Sequence, residues 1–329
     1  MKSISSKFKK IAKATFGACI AIFIAQLLGL IYAPSAGIIT LLSLQETKKE
    51  TLRTALQRLI AFLTAVALAK IAFSLLGYNL LGFVVYLLFF AAFCYFFSVE
   101  NALAMCSVLI THFWAEKVMD FRMFGNELLL LLIGAGVGIL MNIFLSVRVD
   151  QIRRNQKEID EVIKTILISM ANGLSIKQLI EIEEMNWLAQ RLKAAKEEVD
   201  RASGNALTLD LRYYGEYIDM RRNQYLLLKR IQSDLIRLET IPEQAEQIAT
   251  FLRKIVSTFG ESNNAECLLA SADKIRDIFR SSQLPQTREE FEARAILLQI
   301  FDELEHFLLL KYTFAHSLSE EQKEQYWTS

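Results

Sequence analysis

The sequence predicts an all-α protein: a six-helix transmembrane bundle whose second helix is short, followed by a soluble antiparallel helical bundle. Three observations predict it. Long uncharged runs are confined to the first half, charged residues crowd the second, and no stretch alternates apolar and polar residues as a half-buried strand would. Up to Asp150 there are 13 Lys/Arg against 7 Asp/Glu, and the remainder carries 24 against 29, so a near-neutral total of +1 conceals halves of +6 and −5. The division predicts a membrane domain over 1–149 and a cytoplasmic helical domain over 150–329.

Crossing a bilayer core takes about 20 apolar residues at a rise of ~1.5 Å each. The chain is uncharged from Ala14 to Gln45, Leu59 to Ala69, Ile71 to Val99, Asn101 to Ala115 and Leu128 to Val147. Turn chemistry at Tyr32-Ala33-Pro34-Ser35 and Gly77-Tyr78-Asn79 divides the longer runs. Full spans are therefore expected near 12–32, 54–76, 80–98, 101–117 and 125–147. The lysine-rich start, Met1 to Lys13, resembles a secretory leader, but the apolar run to Ile31 is longer than a leader's core and more apolar segments follow. It reads as the first span.

Between the first two spans lies Ser35–Gln45, which as a helix would cover only ~17 Å. Basic residues decide how to treat it. Met1–Lys13, the segment with Lys48, Lys49, Arg53 and Arg58, and the stretch with Arg148, Arg153 and Arg154 fall on one face only if this short segment crosses. Six helices with both termini cytoplasmic, in the cell membrane, are expected. A broken helix at membrane depth must be buried in protein or line a cavity. That makes Thr40 and Gln45 candidates for a substrate or ion pathway, the alternative being a packing element without a ligand.

The last span holds Gly134, Gly136 and Gly138, with Gly134 and Gly138 at small-xxx-small spacing for close helix contact. A phosphate-binding loop is excluded because the run lies mid-helix in apolar sequence. In the second half, Met185, Leu188, Leu192, Ala195 and Val199 advance by three and four. So do Leu228, Ile231, Leu235 and Leu238, and again Leu297, Phe301, Leu304 and Leu308. Thr240-Ile-Pro-Glu243 and Thr287-Arg-Glu-Glu290 read as capping boxes. With breaks near Asn172-Gly173, Ser203–Asn205, Gly260–Asn264 and Ser281–Pro285, five or six long helices result.

Ionisable side chains within spans are functional candidates by default. Arg58 and Lys70 lie on the third helix, where snorkelling to an interface is the competing role. On the fifth, Asn101, Met105, Val108, His112 and Glu116 form a narrow stripe, and His112 and Glu116, one turn apart, are placed to share a proton. Asn142 and Gln26 are neutral hydrogen-bonding candidates. In the soluble half, Arg212-Tyr213-Tyr214 with Arg221-Arg222 reads as a solvated face over core tyrosines, with a basic aromatic ligand site as the sharper alternative. His306 and His316 lack partners at metal-ligand spacing. No metal site, cofactor motif, P-loop or nucleophile–base constellation is expected, and no basic tract suggests nucleic acid. Cys19, Cys94, Cys106 and Cys267 read as small hydrophobes. The sequence therefore excludes no membrane function but offers no enzyme.

The order of a basic start, an apolar helix, YAPSAGIITLLSLQETKKETLRTALQRLIAFLTAVALAK, the later SVLITHFWAEK and a charged helical domain resembles the small aromatic acid exporter family with its C-terminal domain, within the fusaric-acid-resistance-like superfamily. The family places a short helix and then an arginine-bearing helix at Pro34–Ala69, which puts its arginine at Arg58. The glycine motif that follows this arginine in larger relatives is absent from LIAFLTAVALA. The resemblance implies export of aromatic or related organic acids; with no P-loop the expected drive is a gradient, and the residues suggest Arg58 attracting the carboxylate and His112 and Glu116 carrying protons. It also implies a homodimer, since larger members carry two membrane units and this chain has room for one. A passive anion channel, or a membrane-anchored interaction or sensor protein acting through its cytoplasmic bundle, are the alternatives.

Overall fold

The computed structural model describes residues 2–143, 147–176, 184–207 and 209–327. All regular structure among them is helical. The chain divides into two compact units, Met1–Val147 with Gly204–Thr208, and Arg148–Ser203 with Leu209–Ser329.

The first unit contains α1 (Lys2–Leu27), α2 (Pro34–Ser43), α3 (Lys48–Leu76), α4 (Leu80–Phe96), a 3₁₀ turn at Glu100–Ala102, α5 (Leu103–Glu116) and α6 (Phe121–Ile143). Local chemistry sets the boundaries. Pro34 opens α2, where its missing N–H and fixed φ suit the first turn. The Thr47 hydroxyl accepts from Glu50 N at 3.3 Å and caps α3. Gly77, at φ 79°, ends α3 in a conformation that side chains rarely adopt. Asn79 then caps α4 through Gly82 N at 2.9 Å. Asp120 accepts from Met123 N at 2.7 Å and starts α6. The end of the expected last span, 144–146, lies outside the described residues.

By length and composition two of these helices, α3 and α6, are able to cross a membrane; Ile11–Leu27, Pro34–Ser43 and Leu80–Phe96 are shorter apolar helices. The core of the unit is aromatic and small-residue in kind, with Phe62, Ala65, Tyr86, Phe90, Leu109 and Phe113 all buried. Its outside is apolar too: most of the exposed large hydrophobic side chains of the chain are here, among them Leu75, Phe96 and Phe121.

Helix α2 packs against both α1 and α6. A Cβ built at Gly134 would stand 2.6 Å from Ile39 Cβ and 2.7 Å from Ala36 O, and one at Gly138 2.8 Å from Ser43 Cβ. One at Gly37 would stand 2.7 Å from the Ile22 side chain. Glycine is thus required on this seam because the helices approach too closely for any side chain. The small-residue face of α6 at Gly134 and Gly138 is thus filled by α2 of the same chain; Gly136, on the open side, meets nothing within 4 Å.

The second unit contains α7 (Val149–Ile176), α8 (Glu184–Asn205), α9 (Arg212–Ile236), α10 (Ala245–Ser257), α11 (Glu266–Ser281), α12 (Arg288–Ser317) and α13 (Glu320–Trp327). Cross-links fix the directions. Asn155 bonds Glu198 and Arg191 bonds Glu158, so α7 and α8 are antiparallel. Gln224 donates to Phe307 O while Arg230 reaches Glu303, so α9 and α12 are antiparallel as well. Arg153 reaches Tyr214 and Arg221 reaches Asp160, which makes α7 and α9 parallel. The expected apolar series is buried at Met185, Leu188, Leu192, Ala195 and Val199 and at Leu297, Phe301, Leu304 and Leu308.

Two local expectations fail. The helix runs through Asn172-Gly173, since burial of Met170, Ala171 and Leu174 holds α7 together across an isolated glycine. Thr240 makes no cap bond among the described residues: Ala245 N bonds Pro242 O and Glu246 N bonds Glu243 O, so tight turns precede α10 and Gln244 stands at its start. The six long helices α7–α12 agree with the expected five or six, and the short α13 follows them. The Thr287 cap is present, with Glu290 N donating to its hydroxyl at 3.2 Å.

Candidate functional site

Two buried polar clusters in the first unit sit at the two ends of α2, about 12 Å apart at ~1.5 Å per residue. At the C-terminal end is Arg58 of α3, only 2% exposed. Its Nη1 donates to Ser43 Oγ at 2.9 Å, and its Nη2 donates to Leu42 O at 3.0 Å and Asn101 O at 3.5 Å. Leu42 O is one of the carbonyls that a helix end leaves without a partner, so the guanidinium caps α2. Every partner is a neutral oxygen, and the shielded Nε has no hydrogen-bond partner among the described residues.

At the N-terminal end is a histidine–carboxylate pair. His112 Nδ1 lies 2.7 Å from Glu127 Oε2, with Glu127 fully buried. The other Glu127 oxygen accepts from Asn126 Nδ2 at 3.0 Å, and His112 Nε2 lies 3.4 Å from Ser35 Oγ. Tyr32 stacks on the imidazole with ring centres 3.9 Å apart and planes within 5°. It does so from a left-handed backbone, φ 60°, which a bulky residue adopts only when its surroundings enforce it. Asn126 supplies the enforcement, accepting from Ile31 N at 2.8 Å and donating to Ile31 O at 3.0 Å.

The expected pairing of His112 with Glu116 is therefore corrected. Glu116 is exposed and accepts from the Tyr32 hydroxyl at 2.8 Å; the carboxylate at His112 is Glu127. The stripe fails because α5 buries a neighbouring face, Cys106, Leu109, Ile110 and Phe113, leaving Asn101, Val108 and Glu116 outside and only Met105 and His112 within. Lys70 and Gln26 are exposed on the outer surface. Thr40 is buried and donates to Ala36 O at 2.9 Å and Gly134 O at 3.0 Å, a seam bond. The Gln45 side chain turns back on Leu42 O, while its carbonyl accepts from Asn142 Nδ2 at 2.9 Å. Asn142 also donates to Thr51 Oγ1 at 2.6 Å and accepts from Lys13 Nζ at 2.6 Å, tying α1, α3 and α6 to the end of α2.

In the second unit Arg221, read as part of a solvated face, is instead almost fully buried, while Arg212 and Arg222 are exposed. Asp160 meets Arg221 Nε at 2.9 Å and Tyr217 OH at 2.5 Å. Burial opposes the Arg221 charge, but Asp160 and Tyr217 outweigh it and hold the guanidinium pKa above its ordinary value. Lys311 shares this core with no ion pair to an acid among the described residues: its Nζ donates to Glu261 O at 2.6 Å, and Tyr217, Phe314 and Trp327 rings surround it. Burial first, and Arg221 second, push its pKa down to about 7. Tyr213, Tyr214 and Tyr217 are core residues.

Comparison with known proteins follows the same two-part division. Residues 5–145 match the family described as "Aromatic acid exporter family member 1", and residues 150–312 match the "Putative aromatic acid exporter C-terminal domain". The chain belongs to the aromatic acid exporter family. A relative, "Uncharacterized protein YqjA" of Bacillus subtilis (strain 168), is 28% identical over 309 residues, covering 92% of this chain and 94% of its own. A solved structure, a "putative membrane protein from Clostridium difficile 630", is 27% identical, with a TM-score of 0.46 over 51% of this chain and 99% of its own. Family membership makes this a membrane protein of a transport family.

Proposed function

We propose that this exporter-family chain is a multi-pass transporter that moves aromatic or related organic anions out of the cell, driven by a proton gradient. In this reading six helices, α1–α6, cross the cell membrane with both termini cytoplasmic. Arg58 receives the carboxylate, and the His112–Glu127 pair carries the proton. The observation that carries it is Arg58: a buried guanidinium bonded to neutral oxygens, with no carboxylate bonded to it among the described residues. Capping a helix end returns about 0.3–1 kcal/mol. Removing a cation from water costs several kcal/mol. The cap alone does not offset that cost, which leaves the guanidinium's unmet charge as the feature an arriving anion would engage.

The second cluster supports the coupling. It places an imidazole in hydrogen-bond contact with a buried carboxylate, a pair through which a proton can pass, and α2 connects it to Arg58. Lipid-facing apolar residues on the outside of the unit, Leu75 and Phe96 among them, support full insertion despite the short helices. A dimer across the exposed faces is part of the proposal, using surfaces other than the α2–α6 seam.

The test is flux in sealed vesicles holding purified protein, with radiolabelled aromatic acids and an imposed pH gradient. Proton-dependent movement is expected, and Arg58→Ala is expected to abolish it while the protein remains folded. Movement that follows voltage and ignores the pH gradient would replace the exporter with a passive channel. No movement by correctly oriented protein would favour an interaction or sensor role for the second unit.

A further inference from the structure

The turn between two helices of a charged bundle is ordinarily exposed, because its backbone polar groups need water. The turn between α8 and α9 is not. Asn205 and Ala206 are only 8% and 4% exposed, and Gly204–Thr208 belong to the first compact unit although the helices on either side belong to the second. What covers Gly204 and Asn205 is the elbow between α2 and α3. Asn205 Oδ1 accepts from Lys48 N, the first amide of α3, at 3.1 Å. A Cβ built at Gly204 would stand 2.5 Å from Thr47 Cγ2 and 3.0 Å from Thr47 Oγ1. Thr47 cannot swing aside without losing its own cap, because that oxygen holds Glu50 N. Glycine is therefore required at 204 by a residue far away in the chain.

Helix α3 does not need a second cap in order to form. Thr47 supplies the local one, and packing along 29 residues holds the rest. The Asn205 bond thus acts on position rather than on helix formation. The elbow is a sensitive place to hold. On its α2 side Gln45 O accepts from Asn142, and Leu42 O accepts from Arg58. Arg58 itself stands about 15 Å along α3 from Lys48, at ~1.5 Å per residue. The far side of the turn is fastened within the second unit: Tyr326 OH donates to Asp210 O at 3.2 Å, with its ring stacked on Tyr213 at 4.0 Å.

We infer that Gly204–Ala206 form an intramolecular latch, through which the helical unit beyond Arg148 sets the position of the C-terminal end of α2 and of the groups that hold Arg58. The segment is continuous with α8 and α9, so a rearrangement of either helix reaches the elbow through covalent bonds. A free linker would have left the two units mechanically independent. The consequence for transport rests on the export reading; the mechanical link does not.

The experiment is hydrogen exchange, read by mass spectrometry on the full chain in detergent micelles, over the elbow at 44–51 and over α2 at 36–43. Asn205→Ala removes the distant cap and Gly204→Ala forces the turn off Thr47. Each is expected to speed exchange over both stretches by about ten-fold, while α7 and α12 stay protected and report a folded chain. Gly215→Ala on α9, whose Cβ would meet neighbours only at 3.7 and 3.8 Å, is the control and is expected to change neither stretch. Tyr326→Phe loses only the bond to Asp210 O, inside the second unit, and is expected to speed exchange at the elbow as well. Flux in sealed vesicles is expected to shift by about three-fold or more in the two turn variants and not in the control. Parental exchange at the elbow in both folded turn variants overturns the latch. So does faster exchange that stops at the elbow without reaching α2, or an unmoved elbow in Tyr326→Phe, because the contact is then packing alone. Parental flux in chains whose elbow and α2 have loosened overturns its control of transport. If the parent itself carries no flux, the export reading fails, and the exchange results alone decide the latch.

Discussion

Replacing Gly134 with alanine tests whether the short helix is held by close approach to α6. The new Cβ would lie 2.6 Å from Ile39 Cβ and Cγ2 and 2.7 Å from the Ala36 carbonyl. Carbon contacts settle near 3.5–4.0 Å, so the two helices must part by about 1 Å. The backbone oxygen cannot swing aside as a side-chain tip would. Parting also stretches the Thr40 bond to Gly134 O beyond its present 3.0 Å. Overpacking costs about 1–3 kcal/mol and the lost hydrogen bond about 1 kcal/mol, for a total of about 2–4 kcal/mol. Gly136→Ala is the internal control: its Cβ meets nothing within 4 Å, and alanine's helix preference adds up to about 1 kcal/mol of stability. The two variants, two residues apart on one helix, are thus expected to move thermal unfolding in detergent in opposite directions. Flux should fall only in Gly134→Ala, because a displaced α2 carries Ser43 away from Arg58. Equal behaviour of the two would refute the account of the seam.

Glu127→Gln removes the carboxylate from His112 but keeps its shape; proton-coupled flux is expected to lose its dependence on the imposed gradient by at least ten-fold, while Glu116→Gln leaves it within about two-fold. Flux measured across external pH in both variants checks this, and a larger loss in Glu116→Gln would reverse the assignment. Arg58→Lys keeps the charge but loses the fork to Ser43 and Leu42, so it is expected to retain weak flux where Arg58→Ala has none. Lys311 titrates near 7 in the folded chain against about 10.5 unfolded, so the native state binds fewer protons between those values. Stability is therefore present above the ordinary lysine range and falls as pH drops toward 7, by up to about 1.4 kcal/mol per unit. Urea midpoints for the second unit, followed between pH 7 and 9.5 by tryptophan fluorescence, should rise with pH in the parent and flatten in Lys311→Met.

The helical class was legible because hydropathy and charge run along the chain, and helices are local. The turns at Gly77-Tyr78-Asn79 and Ser281–Pro285 came from glycine, asparagine and proline at their customary places. Partners across helices were much less legible. Glu127 stands at the very start of an uncharged run and reads as an interface residue. The clue to its role is in the hairpin: His112 and Glu127 lie at nearly equal distances from the turn at Lys117–Asp120, so antiparallel helices bring them level. The i, i+4 spacing pointed instead at Glu116, which a small rotation of α5 leaves outside. Gly134 and Gly138 were recognised as contact residues, but a glycine does not say which helix will cover it. Thr240 shows the opposite failure, a local cap signal overridden by successive tight turns at Pro242–Gln244.

The seam between α2 and α6 has a repeat that matches itself. Ile39 seats at Gly134 and Ser43 at Gly138, knobs four residues apart in notches four residues apart, along helices that run the same way. A slide of one helical turn, ~5.4 Å, would bring Ile39 to Gly138 and the small Ser35 to Gly134. Steric fit along this track is therefore the same kind of fit in two positions, and it does not by itself select one. Selection falls to the polar fastenings at either end: Arg58 on Ser43 and Leu42, Asn142 on the Gln45 carbonyl, and Ser35 beside His112. On the proposed transport reading, Arg58 and His112 receive the anion and the proton, so ligand binding and the choice between the two positions act at the same two ends of α2.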